Sequence, residues 1–200
     1  MVALDARISV ERVARAPATR LAILPYPKEL ESVERLGDGA SIQLRPVRPE
    51  DAPIVDELLT HITPLDARLL LFASRQDLPP MAGVRLSQID YDRQMTLIAQ
   101  LPDAAQVLGI ARFSADPDNR LARFAVALRS HVSRQEIGPR LLARLIQIAD
   151  ARGIAIVSGD IARVDSDSQA WCRSLGFTAS VHPDASELIS VRRELGTAGS

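Results

Sequence analysis

Apolar side chains recur along this chain with two periods, and the switches between those periods mark its elements. Residues 30–36 and 40–47 alternate on either side of Gly37-Asp38-Gly39, which predicts a β-hairpin with Ile42, Leu44 and Val47 facing the core. Pro49-Glu50-Asp51 opens a helix, because acidic residues in a first turn complement the helix dipole. Ile54, Val55, Leu58, Leu59 and Ile62 then recur at helical spacing until Thr63-Pro64 ends the run. Further helices are predicted over 65–74 and about 80–89, and a strand over 95–100. Residues 107–114 and 121–129 read as strands joined by the dense turn Asp116-Pro117-Asp118-Asn119. A long helix over 137–152 places Leu141, Leu142, Leu145, Ile146, Ile148 and Ala149 on one face and stops at Gly153. Residues 154–161 are apolar and β-branched, which predicts a strand buried on both faces. A last helix over 166–175 stops at Gly176, and 177–181 and 187–193 close the chain as a strand pair. Strands that alternate with helices late in the chain predict an α/β class with a mixed sheet.

Composition narrows the function classes. The chain has 200 residues, 46% hydrophobic and 24% charged, enough for one domain with a sizeable core. The formal net charge of −1 and the lack of clustered cations argue against a nucleic-acid partner. One cysteine, Cys172, rules out a disulfide within the chain, and His61, His131 and His182 lack ligand spacing, so no metal is expected. No apolar run reaches the ~18 residues of a membrane span, and charges crowd the N-terminus where a signal peptide needs its apolar stretch. The expectation is a cytoplasmic protein with no membrane partner.

The order of elements and several local stretches resemble the GNAT family of acetyltransferases. Leu44-Arg45-Pro46-Val47-Arg48-Pro49-Glu50-Asp51 looks like the opening strand and first helix of such domains, and Ser174-Leu175-Gly176-Phe177 like the end of their last helix. The stretches 21–27, 88–93 and 121–126 resemble the GNAT module of Pat-type protein lysine acetyltransferases, which is joined to an NDP-forming acyl-CoA synthetase-like region. The resemblance implies an α/β (α+β) GNAT fold: a mixed, mostly antiparallel central sheet with helices on both faces. Residues 1–20 are then an N-terminal extension or linker, similar to the end of an ATP-grasp region, 21–195 the GNAT domain and 196–200 a disordered tail. It further implies acetyl-CoA or another acyl-CoA as cosubstrate, a protein or small-amine acceptor, an acyl-CoA synthetase region as partner, and a monomer or homodimer.

The same resemblance assigns site residues. In such domains the pantetheine arm pairs with a strand backbone, here Phe124, Ala125, Val126, Ala127 and Leu128. The diphosphate meets backbone N–H groups of a strand-to-helix turn, here Ser133, Arg134, Gln135, Glu136, Ile137 and Gly138, with Pro139 and Arg140 in the first helical turn. Asp165 starts the last helix, where an N-cap role suffices to explain it. Two departures stand out. Ser133 and Glu136 replace the usual Gln or Arg and the first glycine, so Glu136 is expected to bring bulk and negative charge toward the diphosphate. Arg123 replaces the usual glutamate base, and an arginine stays protonated. Cys172 stands at the position of the usual tyrosine acid, and Asp160 is a substitute acid or base. Lysine ordinarily titrates near 10.4, so transfer needs a group that removes a proton. These departures imply weak or lost catalysis, or a non-catalytic module that senses acyl-CoA or regulates a synthetase.

Overall fold

The computed structural model describes residues 25–73, 81–102 and 106–196. The expected extension over 1–20 and most of the expected tail lie outside these residues. An eight-stranded sheet organises the chain, with spatial order β1-β2-β3-β4-β5-β6-β8-β7. The strands are β1 (Ser32–Arg35), β2 (Ser41–Pro46), β3 (Gln94–Gln100), β4 (Val107–Ala115), β5 (Leu121–Leu128), β6 (Ile156–Ala162), β7 (Thr178–Val181) and β8 (Leu188–Glu194). Every neighbouring pair is antiparallel except β5 and β6. The helices are α1 (Ala52–Leu59), α2 (Pro64–Leu70), α3 (Ala82–Ser87), α4 (Arg134–Ala151) and α5 (Ser166–Ser174). This is the expected α/β order, with a mixed, mostly antiparallel sheet.

Two apolar layers cover the sheet. On one side α4 buries Ile137, Leu141, Leu142 and Leu145 against Leu97, Phe113 and Phe124. On the other, α1 to α3 bury Val55, Leu58, Leu70 and Leu86 against Ile98 and Ile110. Each such side chain contributes ~1.5–3 kcal/mol when fully withdrawn from water. Strands covered on both faces read as continuous apolar runs, and β3 and β4 do so.

Three expectations need correction. Strand β6 alternates instead of being buried on both faces: Val157, Gly159 and Ile161 are buried, while Ser158 and Asp160 line an open face. Helix α4 begins at Arg134 with Ser133 as its N-cap, so Pro139 is its sixth residue and lies beyond the first turn. Helices α2 and α3 are shorter than expected: α2 ends at Leu70, and Phe72 takes a left-handed backbone (φ 51°). Positive φ at Gly153 and Gly176 does fit their expected places after α4 and α5. No helix among the described residues is long and apolar enough to cross a membrane.

A buried ion pair ties the sheet to α1. Arg45 of β2 donates to both oxygens of Asp51 at 2.6 and 2.8 Å, and to Gln100 at 3.0 Å. Burial opposes ionisation of Asp51, but the hydrogen bonds from Arg45 and from the Arg48 N–H outweigh it and hold the carboxyl below its ordinary value. A carboxyl depressed in the folded state contributes stability above its unfolded pKa, near 3.9, and loses it as pH falls through the lower folded value. Asp51→Ala is therefore expected to destabilise the fold by about 3–5 kcal/mol in urea at neutral pH. The deficit should shrink as pH falls below about 4.

Candidate functional site

The sheet parts between its two parallel strands. β5 and β6 pair from Leu121↔Ile156 to Phe124↔Gly159 and no further. Beyond that rung β5 stays with β4, and β6 stays with β8. A splay opens toward the C-terminal ends of both strands. Gly159 is required at the rung: a Cβ there would sit 2.8 Å from both the Phe124 carbonyl oxygen and its ring. The Phe124 ring in turn meets Phe177, with centroids 5.2 Å apart.

Backbone alternation shows what the splay offers. Arg129 donates its N–H to Leu108 of β4, and Leu121 accepts from Asp116, so odd-numbered residues of β5 point toward the β4 side. Even-numbered residues point the other way. The N–H and C=O of Val126 and Leu128 are therefore directed into the splay, where β6 no longer takes them up. Both helices that follow the parted strands, α4 and α5, start at this end. Glu136 and Ile137 N–H groups close on Ser133, which leaves those of Arg134 and Gln135 without an intrahelical acceptor.

The side chains of α4 divide between two flanks. At i, i+4 and i+8, Glu136, Arg140 and Arg144 reach the β1–β2 hairpin and the turn before it: Glu136 accepts from Gly37 N–H at 2.8 Å, Arg140 pairs with Glu34 at 3.2 Å, and Arg144 donates to Leu30 C=O at 3.4 Å. The charges of Glu136 and Arg140 are thus held on the hairpin side, whereas the splay lies on the β6 side. The Glu136 carboxylate, expected near the diphosphate, is engaged by the hairpin turn. Gln135 and Gly138 face α5: Gln135 donates to Asp167 at 3.3 Å, and a Cβ on Gly138 would meet Trp171 at 3.0 Å. Asp165 caps α5, accepting from Ser168 N–H at 3.0 Å and from its hydroxyl at 2.6 Å.

Between α2 and α5 the splay is nearly filled. Its cavity measures about 20 Å³, lined by Leu69, Phe124, Val126, Asp160, Ser168 and Trp171 among others. That is room for about one water molecule. Trp171 is 6% exposed, and its indole nitrogen has no hydrogen-bond partner. Buried indole N–H groups ordinarily find an acceptor. Cys172, next in α5, is buried in the core, and burial pushes its thiol up to about 12. It lines neither this cavity nor the one beyond it.

The chemistry-bearing groups gather around Asp160. Arg123 donates to Asp160 at 2.7 Å, Ser190 donates at 2.8 Å, and His182 Nε2 lies 3.8 Å away. Asp184 donates its N–H to His182 Nδ1, which leaves the ring hydrogen on Nε2, facing Asp160. The Arg123 guanidinium lies 5.4 Å from the centroid of Phe72, whose ring Arg112 also approaches at 4.8 Å. Arg112 is buried and lowered to about 10, first by desolvation and then by Arg85. Two cations therefore share one ring beside a single carboxylate. Sequence reasoning named Arg123 and Asp160 without pairing them, and it missed His182 and Ser190. The alternation of 188 to 194 with a serine at Ser190 was the available signal, but it is common to many strands.

A second cavity of about 220 Å³ opens on the far side of Asp160, over Arg123, Ser158 and Arg192. A larger cavity, about 870 Å³ between Tyr26, Arg48, Ile89 and Tyr91, lies at the opposite end of the sheet. It has neither parted strands nor the N-terminus of a long helix, so the smaller cavities mark the candidate site. Among the described residues no group of His, Cys, Asp and Glu is arranged to hold a metal ion.

No protein-family model matches the chain. An acetyltransferase of Pseudomonas aeruginosa is 23% identical over 165 residues, which cover 82% of this chain and 89% of that protein. The GNAT domain of S. lividans PAT superposes with a TM-score of 0.71 at 17% identity, covering 86% of this chain and all of that one. The Salmonella typhimurium protein yncA, solved with its cofactor acetyl-CoA, superposes with a TM-score of 0.62 at 18% identity, covering 80% of this chain and 96% of that one. The fold is that of the GNAT acetyltransferases.

The rung at which the sheet parts is testable. Gly159→Ala sets a Cβ against the Phe124 carbonyl, which is backbone and cannot swing aside. It is expected to cost about 1–3 kcal/mol in urea unfolding, the size of other overpacked cores. Cys172 is expected to react with an aromatic disulfide reagent only after unfolding, because both burial and its raised pKa suppress the thiolate.

Proposed function

We propose that the chain is an acyl-CoA-dependent N-acyltransferase whose catalysis on simple amines is slow. The observation that carries this reading is the unpaired edge of β5 at Val126 and Leu128, set between the N-termini of α4 and α5. An extended chain of amides, such as a pantetheine arm, satisfies such an edge as a third strand would. The first N–H groups of α4, which precede its first intrahelical acceptor, suit a diphosphate at a helix N-terminus, and the orphan indole N–H of Trp171 suits a carbonyl in the splay. When bound, the acyl-CoA supplies the thioester that an amine attacks.

The chain's own residues then do three things. Val126 and Leu128 hold the arm through their backbone. Asp160, which lines both the splay and the acceptor-side cavity, accepts the proton the amine sheds. Arg123, Ser190 and His182 orient Asp160. Cys172 is too deeply buried to return a proton to the leaving thiolate, so that proton comes from water or from Asp160. The filled splay favours a second reading, a regulatory module that senses acyl-CoA by opening between Leu69 and Trp171. Both readings place the protein in the cytoplasm, where acyl-CoA is made and used.

Trp171 is the only tryptophan, so its emission reports directly on the splay. Acetyl-CoA is expected to bind in the micromolar range by calorimetry and to change that emission. Val126→Pro removes one N–H directed into the splay while leaving the ladder to β4 intact. It should weaken binding about tenfold, or about 1.4 kcal/mol, with little loss of stability. Absence of binding at millimolar acetyl-CoA would overturn both readings. Binding without release of free thiol to any amine would leave only the sensor.

A further inference from the structure

We infer that the acceptor is a small zwitterion, an amine that carries its own carboxylate, and not a lysine side chain of a protein. The inference rests on the acyltransferase reading above and names the substrate class for the same site. It starts from the cross-sheet register. Arg123 of β5, Ser158 of β6 and Arg192 of β8 stand in one row, because Arg123 pairs with Ser158 and Ser158 with Arg192. The next row on that face is Asp160, Ser190 and Ser180, since Asp160 pairs with Ser190 and Ser190 with Ser180. Adjacent rows on one face lie about 7 Å apart along a strand. One row therefore presents two guanidiniums flanking a hydroxyl, and the next presents a carboxylate followed by two hydroxyls.

These two rows line the 220 Å³ cavity, and Asp160 also lines the splay. An ammonium drawn to Asp160 is thereby placed at the mouth of the splay, with a carboxylate on the same molecule within reach of Arg123 and Arg192. Both guanidiniums have donors to spare. Arg123 uses one nitrogen on Asp160, and its side chain is half exposed. Among the described residues the Arg192 guanidinium pairs with Glu194 alone, at 3.5 Å in an exposed pair of the kind that contributes little. A lysine side chain would bring a lone cation toward Arg123, Arg192 and the buried Arg112 against one carboxylate. A zwitterion brings its own countercharge, and that difference selects the class.

The test uses the full chain with acetyl-CoA and reads free thiol release against glycine, alanine, serine and glutamate. The same assay is run on alanine amide, on ethylamine and on a lysine-containing peptide. Free amino acids are expected to show at least tenfold higher kcat/KM than alanine amide or the peptide. Arg192→Gln, at an exposed position, should reduce that preference about tenfold through KM. Calorimetry of alanine into the protein saturated with CoA should show the same dependence on Arg192. Equal use of alanine and alanine amide would overturn the inference, as would a preference that survives Arg192→Gln. Turnover on the peptide with no binding of free amino acids would overturn it while leaving the acyltransferase reading intact. Amino-acid binding that is lost in Arg192→Gln, with no thiol release, would sustain the pocket and sink the acyltransferase reading.

Discussion

The contact between Phe124 and Gly159 governs the functional end of this molecule. Parallel strands β5 and β6 stay paired up to that rung and separate immediately after it. Separation leaves backbone donors and acceptors of Val126 and Leu128 without a strand partner inside a well-packed sheet. Orphan backbone groups are costly in a protein interior, so such an edge persists where something else serves it. The same parting brings two helix N-termini to one place, because α4 follows β5 and α5 follows β6. Hydrogen-bond demand and positive potential thus arise together from one local event in the sheet. A bulkier residue at position 159 would disturb both at once.

Packing around the splay sets its width. Gly138 lets α5 approach α4 until the Trp171 ring lies against the helix backbone, and α2 brings Leu69 from the other side. Gly138, expected in a phosphate turn from the family resemblance, has a packing duty, and the two roles are compatible because both need a missing side chain. Glu136 shows the converse. Its carboxylate is engaged by the hairpin turn at Gly37, so it tethers the sheet edge to the helix.

The elements were legible because each apolar period matches its structure: the long face of α4, the alternation in β2, the glycines after α4 and α5. Burial on β6 was not, since an apolar run looks the same whether one face or two are covered, and Ser158 and Asp160 were the hints that one stays open. The splay was invisible for a related reason. Residues 125 to 128 alternate identically with or without a partner on their outer edge, and only the register of β6 reveals where pairing ends. Arg123 was singled out as a departure and Asp160 as a substitute acid or base, yet their pairing depends on a parallel register 37 residues apart in sequence. Glu136 reaching Gly37 spans 99 residues and has no local signature at all.

That pairing changes what the departures mean. An arginine in place of a glutamate base, taken by itself, reads as the loss of a function. With Asp160 on the adjacent strand, the carboxylate on this face stands one strand across and one row along from position 123, and Arg123 is its partner. A carboxylate so placed still lines the splay. The cation it gained alters the electrostatics of the approach, since any amine arriving there now meets Arg123 and Arg192 before it meets Asp160. A bare ammonium is repelled by that arrangement, and a molecule with a carboxylate of its own is not. Under the proposed acyltransferase reading, weak use of bare amines and selectivity for zwitterions are then two consequences of one arrangement, and the balance between them is set by the two guanidiniums, not by the fold.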